Sequence, residues 1–149
     1  MSEIKEVKVT ATIKTSPDKV IRAFTDHQLL HEWWGVEKSL IETKPGGVYT
    51  LVWNLAEQEI GYVSSGTVKE YKETEVLDLE NMVYINASIP VLGPMSLTVL
   101  AREHPDGAEV TVTQSGYGEG TDWDWYYEEV KKAWPQVVDI LKEYLEQGQ

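Results

Sequence analysis

Between residues 4 and 13 apolar and polar positions alternate: Val7, Val9, Ala11 and Ile13 fall on one side of an extended chain, and Lys8, Thr10, Thr12 and Lys14 on the other. A period of two sets one face on a core and the other in water, so the segment predicts a half-buried strand. The period changes at Ser16-Pro17-Asp18. A serine able to cap, a proline whose fixed φ suits the first helical position and an acid at the positive end of the dipole predict a helix start. Val20, Ile21 and Phe24 follow at helical spacing and carry that short helix to about Asp26. His27-Gln28-Leu29-Leu30-His31-Glu32-Trp33-Trp34 continues the pattern and stops at Gly35, which tolerates the left-handed conformation that ends many helices.

From Val36 to Gly116 the pattern is one of strands and turns, with turns at Lys44-Pro45-Gly46-Gly47 and Pro105-Asp106-Gly107. Segments rich in Val, Tyr, Thr and Leu predict six strands near residues 36–42, 48–54, 60–71, 74–85, 94–103 and 108–115. Their connections are short enough for antiparallel neighbours, so they form a meander. Gly61 and Gly66 fall within one of these strands, where glycine marks a bulge or tight bend. Thr121 and Asp122 can cap a last and longest helix, whose apolar positions Val130, Trp134, Val137, Val138, Leu141, Tyr144 and Leu145 recur at three and four. Pro135 lies inside it and removes a backbone donor, which predicts either a kink one turn earlier or a break into two segments.

The chain has 149 residues, the usual size of one domain, and no linker or repeat divides it, so residues 1–149 are read as a single domain. It has no cysteine, which excludes disulfides, a thiolate nucleophile and Cys-based metal sites. Met1-Ser2-Glu3-Ile4-Lys5 lacks a basic segment followed by an apolar run, and no stretch is apolar enough to insert in a membrane; the expected location is the cytoplasm. A formal net charge of -12 repels phosphate backbones and anionic membrane surfaces, so nucleic acid is excluded as a partner class. Six Trp and eight Tyr against one Phe favour aromatics with a polar handle, which suit either ordinary packing or a cavity wall.

The order of strand, two short helices, six strands and long helix resembles the helix-grip architecture of the START-like superfamily. That resemblance implies an α+β domain in which a curved seven-stranded antiparallel sheet wraps the long C-terminal helix. Ser16-Pro17-Asp18-Lys19-Val20, Phe24-Thr25-Asp26, Leu29-Leu30 and Trp33-Trp34-Gly35 look like the opening of the family of activator of heat-shock-protein ATPase homologue-like proteins. Pro45-Gly46-Gly47, Gly61, Gly66-Thr67-Val68 and Glu109-Val110-Thr111-Val112-Thr113-Gln114-Ser115-Gly116-Tyr117 match its order, as does the helix bearing Trp134, Val138, Leu141, Tyr144 and Leu145. Ala133 replaces the glycine usual before that tryptophan, Pro135 follows it, and residues 117–128 are unusually aromatic.

The resemblance implies an apolar cavity between sheet and helix, its mouth near the two short helices. Trp34 and the alternating row Tyr49, Leu51 and Trp53 are candidate wall residues, followed by Tyr62. Met82 with Tyr84, Met95 with Leu97, and Trp134 with Val138 complete the candidate set. A filled core is the alternative. His27 and His31 stand four apart but lack a third ligand, so they are read as surface residues and no metal is assigned. His104 belongs to a solvated turn, while Asp122, Asp124, Glu128 and Glu129 serve the start of the last helix.

No nucleophile elbow, phosphate loop or dinucleotide fingerprint occurs, so no cofactor is expected. Glu42, Glu57, Glu59 and Asp78 could act as a general base only if buried beside the cavity, and no catalytic residue is assigned. The leading reading is a non-enzymatic module for a small apolar or aromatic molecule. A cyclase- or isomerase-type enzyme using the same cavity and a partner of a chaperone ATPase are the alternatives, and an exposed edge strand would permit a homodimer.

Overall fold

The computed structural model describes residues 5–54 and 61–147. Its elements run β1 (Glu6–Ile13), α1 (Pro17–Ala23), α2 (His27–Trp34), β2 (Lys38–Ile41), β3 (Val48–Trp53), β4 (Tyr62–Lys72), β5 (Val76–Ile85), β6 (Leu92–His104), β7 (Gly107–Ser115) and α3 (Thr121–Gln147). The seven strands described form one antiparallel sheet in the order β1-β7-β6-β5-β4-β3-β2, a meander from β2 to β7 with β1 added beyond β7. The two short helices bridge one side of the sheet and α3 packs along β1 and α2, which is the expected α+β helix-grip arrangement. Among the described residues no helix is long and apolar enough to cross a membrane.

Alternation accounts for the inner face: Ala108, Val110, Val112 and Gln114 are buried along β7, as are Met95, Leu97, Val99 and Ala101 along β6. The helix supplies the other half of the core through Tyr126, Val130, Trp134, Val138, Leu141 and Leu145, one stripe at spacings of three and four.

Two helix boundaries differ from expectation. Pro17 opens α1 as the sequence indicates, but Ser16 makes no side-chain capping bond, and α1 ends at Ala23 rather than Asp26. Asp26 is needed elsewhere: it adopts an extended backbone and accepts a 3.1 Å bond from the amide of Leu29, capping α2. Gly35 closes α2 in the left-handed region at φ 71°. Pro135 does not break α3, which runs through it as one element. Both Pro135 and Lys131, whose carbonyl loses its helical donor, are exposed, so water can take the place of the missing bond, while Trp134 and Val138 anchor the buried side.

Gly66 lies at the bulge the sequence suggested, whereas Gly61 precedes β4 and bonds back to the Asn54 carbonyl. Between the pairs Ser65–Val83 and Thr67–Glu80, β5 advances three residues while β4 advances two. Asn81, at φ 55°, absorbs the extra step. Leu77 and Leu79 face the core at odd positions, and past the bulge it is even-numbered Met82 and Tyr84 that face inward. A Cβ at Gly66 would collide with the Met82 sulfur and lie 2.8 Å from the Glu80 carbonyl and 3.0 Å from Met82 Cα. The sulfur can move, but the backbone cannot. Gly66→Ala is therefore expected to destabilise the fold by about 1–3 kcal/mol in urea unfolding; an unchanged midpoint would show that β5 yields freely at this point.

Candidate functional site

A cavity of about 480 Å³ lies between the inner face of the sheet and α3. Every wall residue proposed from the sequence lines it except Val138. Val138 is 2% exposed and belongs to the core stripe of α3. Tyr126, Val130 and Trp134 of that stripe reach the cavity, and beside them the neighbouring stripe lines it with Trp125, Glu129, Ala133 and Val137. Trp125, Glu129 and Ala133 are exposed and form the rim.

Aromatic rings make a closed collar around this space. Trp134 leans on Trp34 with ring centres 5.6 Å apart, Trp34 meets Trp53 edge-on at 5.1 Å, and Trp53 stacks on Tyr62 at 5.1 Å. Tyr62 approaches Tyr84 at 6.2 Å, and Tyr84 approaches Tyr126 at 4.7 Å. Gln114 closes the loop: its Oε1 accepts from Trp134 Nε1 at 2.7 Å, and its Nε2 donates to the Tyr126 hydroxyl at 3.1 Å and faces Met95 Sδ at 3.4 Å. The indole nitrogen can only donate, which fixes the orientation of the amide. Burial without these bonds would be costly; with them Gln114 is a satisfied polar point in an apolar wall.

Other polar handles are turned toward the protein. The Tyr49 hydroxyl donates to the Phe24 carbonyl at 2.6 Å, Trp33 Nε1 to the Ala23 carbonyl at 2.8 Å, and Trp53 Nε1 to the Trp34 carbonyl at 3.1 Å. These bonds pin the short helices over the sheet, and of the three rings Tyr49 and Trp53 line the cavity. Tyr84 accepts from Asn86 Nδ2 at 3.1 Å, and with Ser64, its cross-strand partner, these two make a second polar point on the lining. In both polar points the tyrosine oxygen acts as acceptor, leaving its proton for a further acceptor.

Burial raises the pKa of Tyr126 to about 12; the Gln114 bond opposes that rise, and the nearby Tyr84 adds to it. Burial also raises Tyr49 well above the ordinary phenol range, and Tyr62 rises through burial and then Tyr84.

Of the acids and histidines named from the sequence, Glu129 alone among the described residues lines the cavity. Glu42 is exposed and pairs with Lys44 at 3.9 Å, and Asp78 accepts from Thr98 at 2.8 Å on the outer face of the sheet. Glu57 and Glu59 lie outside the described residues. His27 contacts Ser39, His31 the Val36 carbonyl, and His104 the amide of Asp106. Asp124 pairs with Lys5 at 3.4 Å and Glu128 with Lys131 at 2.9 Å, while Asp122 and Asp124 occupy the first turn of α3. Among the described residues no group of three or more His, Asp or Glu is placed to hold a metal ion. Glu129 is the one carboxylate on the described lining.

Ten of the lining residues escaped sequence reasoning, among them Ser64, Asn86 and Val137. Gln114 was legible as the next inward position after Ala108, Val110 and Val112, but a polar residue in that register reads as a strand end. Trp125 and Tyr126 belong to the aromatic segment noted above; assigning them needed the rotation of α3.

A curved antiparallel sheet gripping a long C-terminal helix, with a cavity between them, defines a protein of the helix-grip class. Within that class the chain belongs to the family described as Activator of Hsp90 ATPase homolog 1-like protein, whose sequence model matches residues 14–146. Solved structures share the fold at low identity. A Staphylococcus aureus protein of unknown function is 18% identical with a TM-score of 0.75, covering 98% of this chain and 96% of its own. A Mesorhizobium loti protein is 23% identical with a TM-score of 0.75 over 97% of this chain and 98% of its own. The Aha1 dimer of Colwellia psychrerythraea is 17% identical with a TM-score of 0.71 over 97% and 98%. Among the curated proteins none matches this chain.

Proposed function

We propose that this chain is a binding module that holds a small apolar or aromatic molecule in the cavity between sheet and α3. The observation that carries the proposal is the closed collar of Trp34, Trp53, Tyr62, Tyr84, Tyr126 and Trp134 around a space of about 480 Å³. Most residues of such a wall contribute contact area, and a few fixed polar groups give orientation. Here Gln114 with Tyr126, and Tyr84 with Asn86, fill the second role, and a ligand carbonyl or hydroxyl oxygen would accept from either phenol. A cyclase or isomerase would need an acid or a tyrosine on the wall to move a proton; the only carboxylate on the described lining is the exposed Glu129, and burial raises the pKa of Tyr126 and Tyr62, which makes them poor bases near neutral pH. These observations favour binding over turnover.

Protein purified without denaturants and then unfolded should release a stoichiometric small molecule detectable by mass spectrometry. Stripped protein should then change its tryptophan fluorescence when titrated with an apolar aromatic compound, because Trp34, Trp53, Trp125 and Trp134 border the cavity. An empty protein whose emission ignores a panel of such compounds would overturn the proposal.

A further inference from the structure

The chain carries 13 Lys and Arg and three His, and each of these 16 residues lies within the described segments. None of them lines the cavity. The lining is instead made of aromatic rings, aliphatic side chains, Met82 and Met95, and neutral amides and hydroxyls, with Glu129 at the rim beside Trp125 four residues earlier on α3. No ion pair holds Glu129 among the described residues, whereas its neighbour Glu128 is paired with Lys131 at 2.9 Å.

This distribution is selective by charge. A carboxylate or phosphate entering the collar would lose water and find no cation to replace it. It would also meet a wall rich in aromatic rings, whose π-systems are negative, and a net charge of -12. An ammonium group reverses each of these terms: ring faces attract cations and Glu129 supplies a counter-charge where water can still reach. Resting on the binding reading above, we propose that the preferred ligand is an amphiphilic organic cation. Its apolar or aromatic body occupies the collar and its amine or quaternary ammonium group sits at the rim between Glu129 and Trp125.

The test uses three probes with one body: phenylbutyl-trimethylammonium, phenylbutanol and phenylbutyrate, titrated into the stripped full-length chain at fixed ionic strength with tryptophan emission as readout. The cation should bind about tenfold tighter than the alcohol, the range of a partly desolvated cation–aromatic contact. The carboxylate should bind at least about tenfold weaker than the alcohol, since neutral phenol donors serve both probes but no cation offsets the cost of burying its charge. Glu129→Gln should lower the cation-to-alcohol ratio by about two- to fivefold, the size of one partly exposed ion pair, and Glu128→Gln should leave the ratio where it was.

Failure of this inference is distinguishable from failure of the binding reading. Binding of the alcohol together with equal or tighter binding of the carboxylate would overturn the charge selectivity and leave the binding module standing. Equal loss of the ratio in Glu129→Gln and Glu128→Gln would overturn the assigned place of the ammonium group, because it would trace the preference to the overall field. No response to any of the three probes would overturn both.

Discussion

Replacing Trp134 with alanine should lower the unfolding free energy by about 3–5 kcal/mol, the range for truncating a packed aromatic ring. The ring is 7% exposed, leans on Trp34 at 5.6 Å and donates its N–H to Gln114 Oε1 at 2.7 Å. Two losses coincide: the packing of the indole, and the partner of a buried amide oxygen, which alone costs about 1–3 kcal/mol if nothing replaces it. A third effect works the other way. The cavity beside Trp134 opens at Ala133 and Glu129, so water can enter the enlarged space and bond to Gln114, which keeps the two losses from adding in full. Trp134→Phe separates the terms, since it keeps most of the packing and removes only the donor; its cost should be about 1–2 kcal/mol. Urea unfolding of both variants measures the pair. A loss below about 1 kcal/mol for the alanine variant would mean that this face of α3 does not grip the sheet.

Much of this arrangement is written locally in the chain. The alternation of Val7 to Ile13, the change of period at Ser16-Pro17-Asp18 and the stop at Gly35 each specify an element through forces acting within a few residues. The inward row Tyr49, Leu51 and Trp53 is legible for the same reason, because strand parity alone decides it. The features that were not legible depend on what lies across the fold. Pro135 is harmless because its own turn faces water, a fact set by the packing of Trp134 and Val138 and not by the proline. On α3 the lining takes in Trp134 and Val137 and stops before Val138, a limit set by how the helix lies across the sheet and not by the apolar period. The inward turn of Met82 and Tyr84 after Leu79 requires the bulge at Asn81, and that bulge exists because Gly66 on the neighbouring strand makes room for it. Gln114 is acceptable in the core only because Trp134 and Tyr126 arrive from a helix that follows it in sequence.

The same buried phenols make the fold alkali-labile. An unfolded tyrosine ionises near pH 10, whereas burial raises Tyr49, and raises Tyr126 to about 12. Between those values the unfolded chain has released protons that the folded chain still holds, so the native state binds more protons and stability falls as pH rises. Below pH 10 both states are protonated and the contribution of these residues is fully present. Each displaced group removes about 1.4 kcal/mol per pH unit, so Tyr49 and Tyr126 together should bring the slope toward roughly 3 kcal/mol per unit well above pH 10. Tyr117 acts with the same sign: burial and then Tyr126 and Tyr127 raise it, and its hydroxyl is enclosed without a hydrogen-bond partner among the described residues, although the ring is only part-buried. With native stability of only about 5–15 kcal/mol to draw on, a cooperative alkaline transition should follow within about two pH units. Tyrosinate absorbance and circular dichroism followed together from neutral pH upward would test this, since the buried phenols should ionise only as the fold is lost. Tyr49→Phe isolates one contribution: it should start less stable, because the Phe24 carbonyl loses its 2.6 Å donor, yet lose stability less steeply above pH 10. A variant with the parent slope, or a parent whose stability stays level through pH 11, would show that these hydroxyls reach water in the folded state.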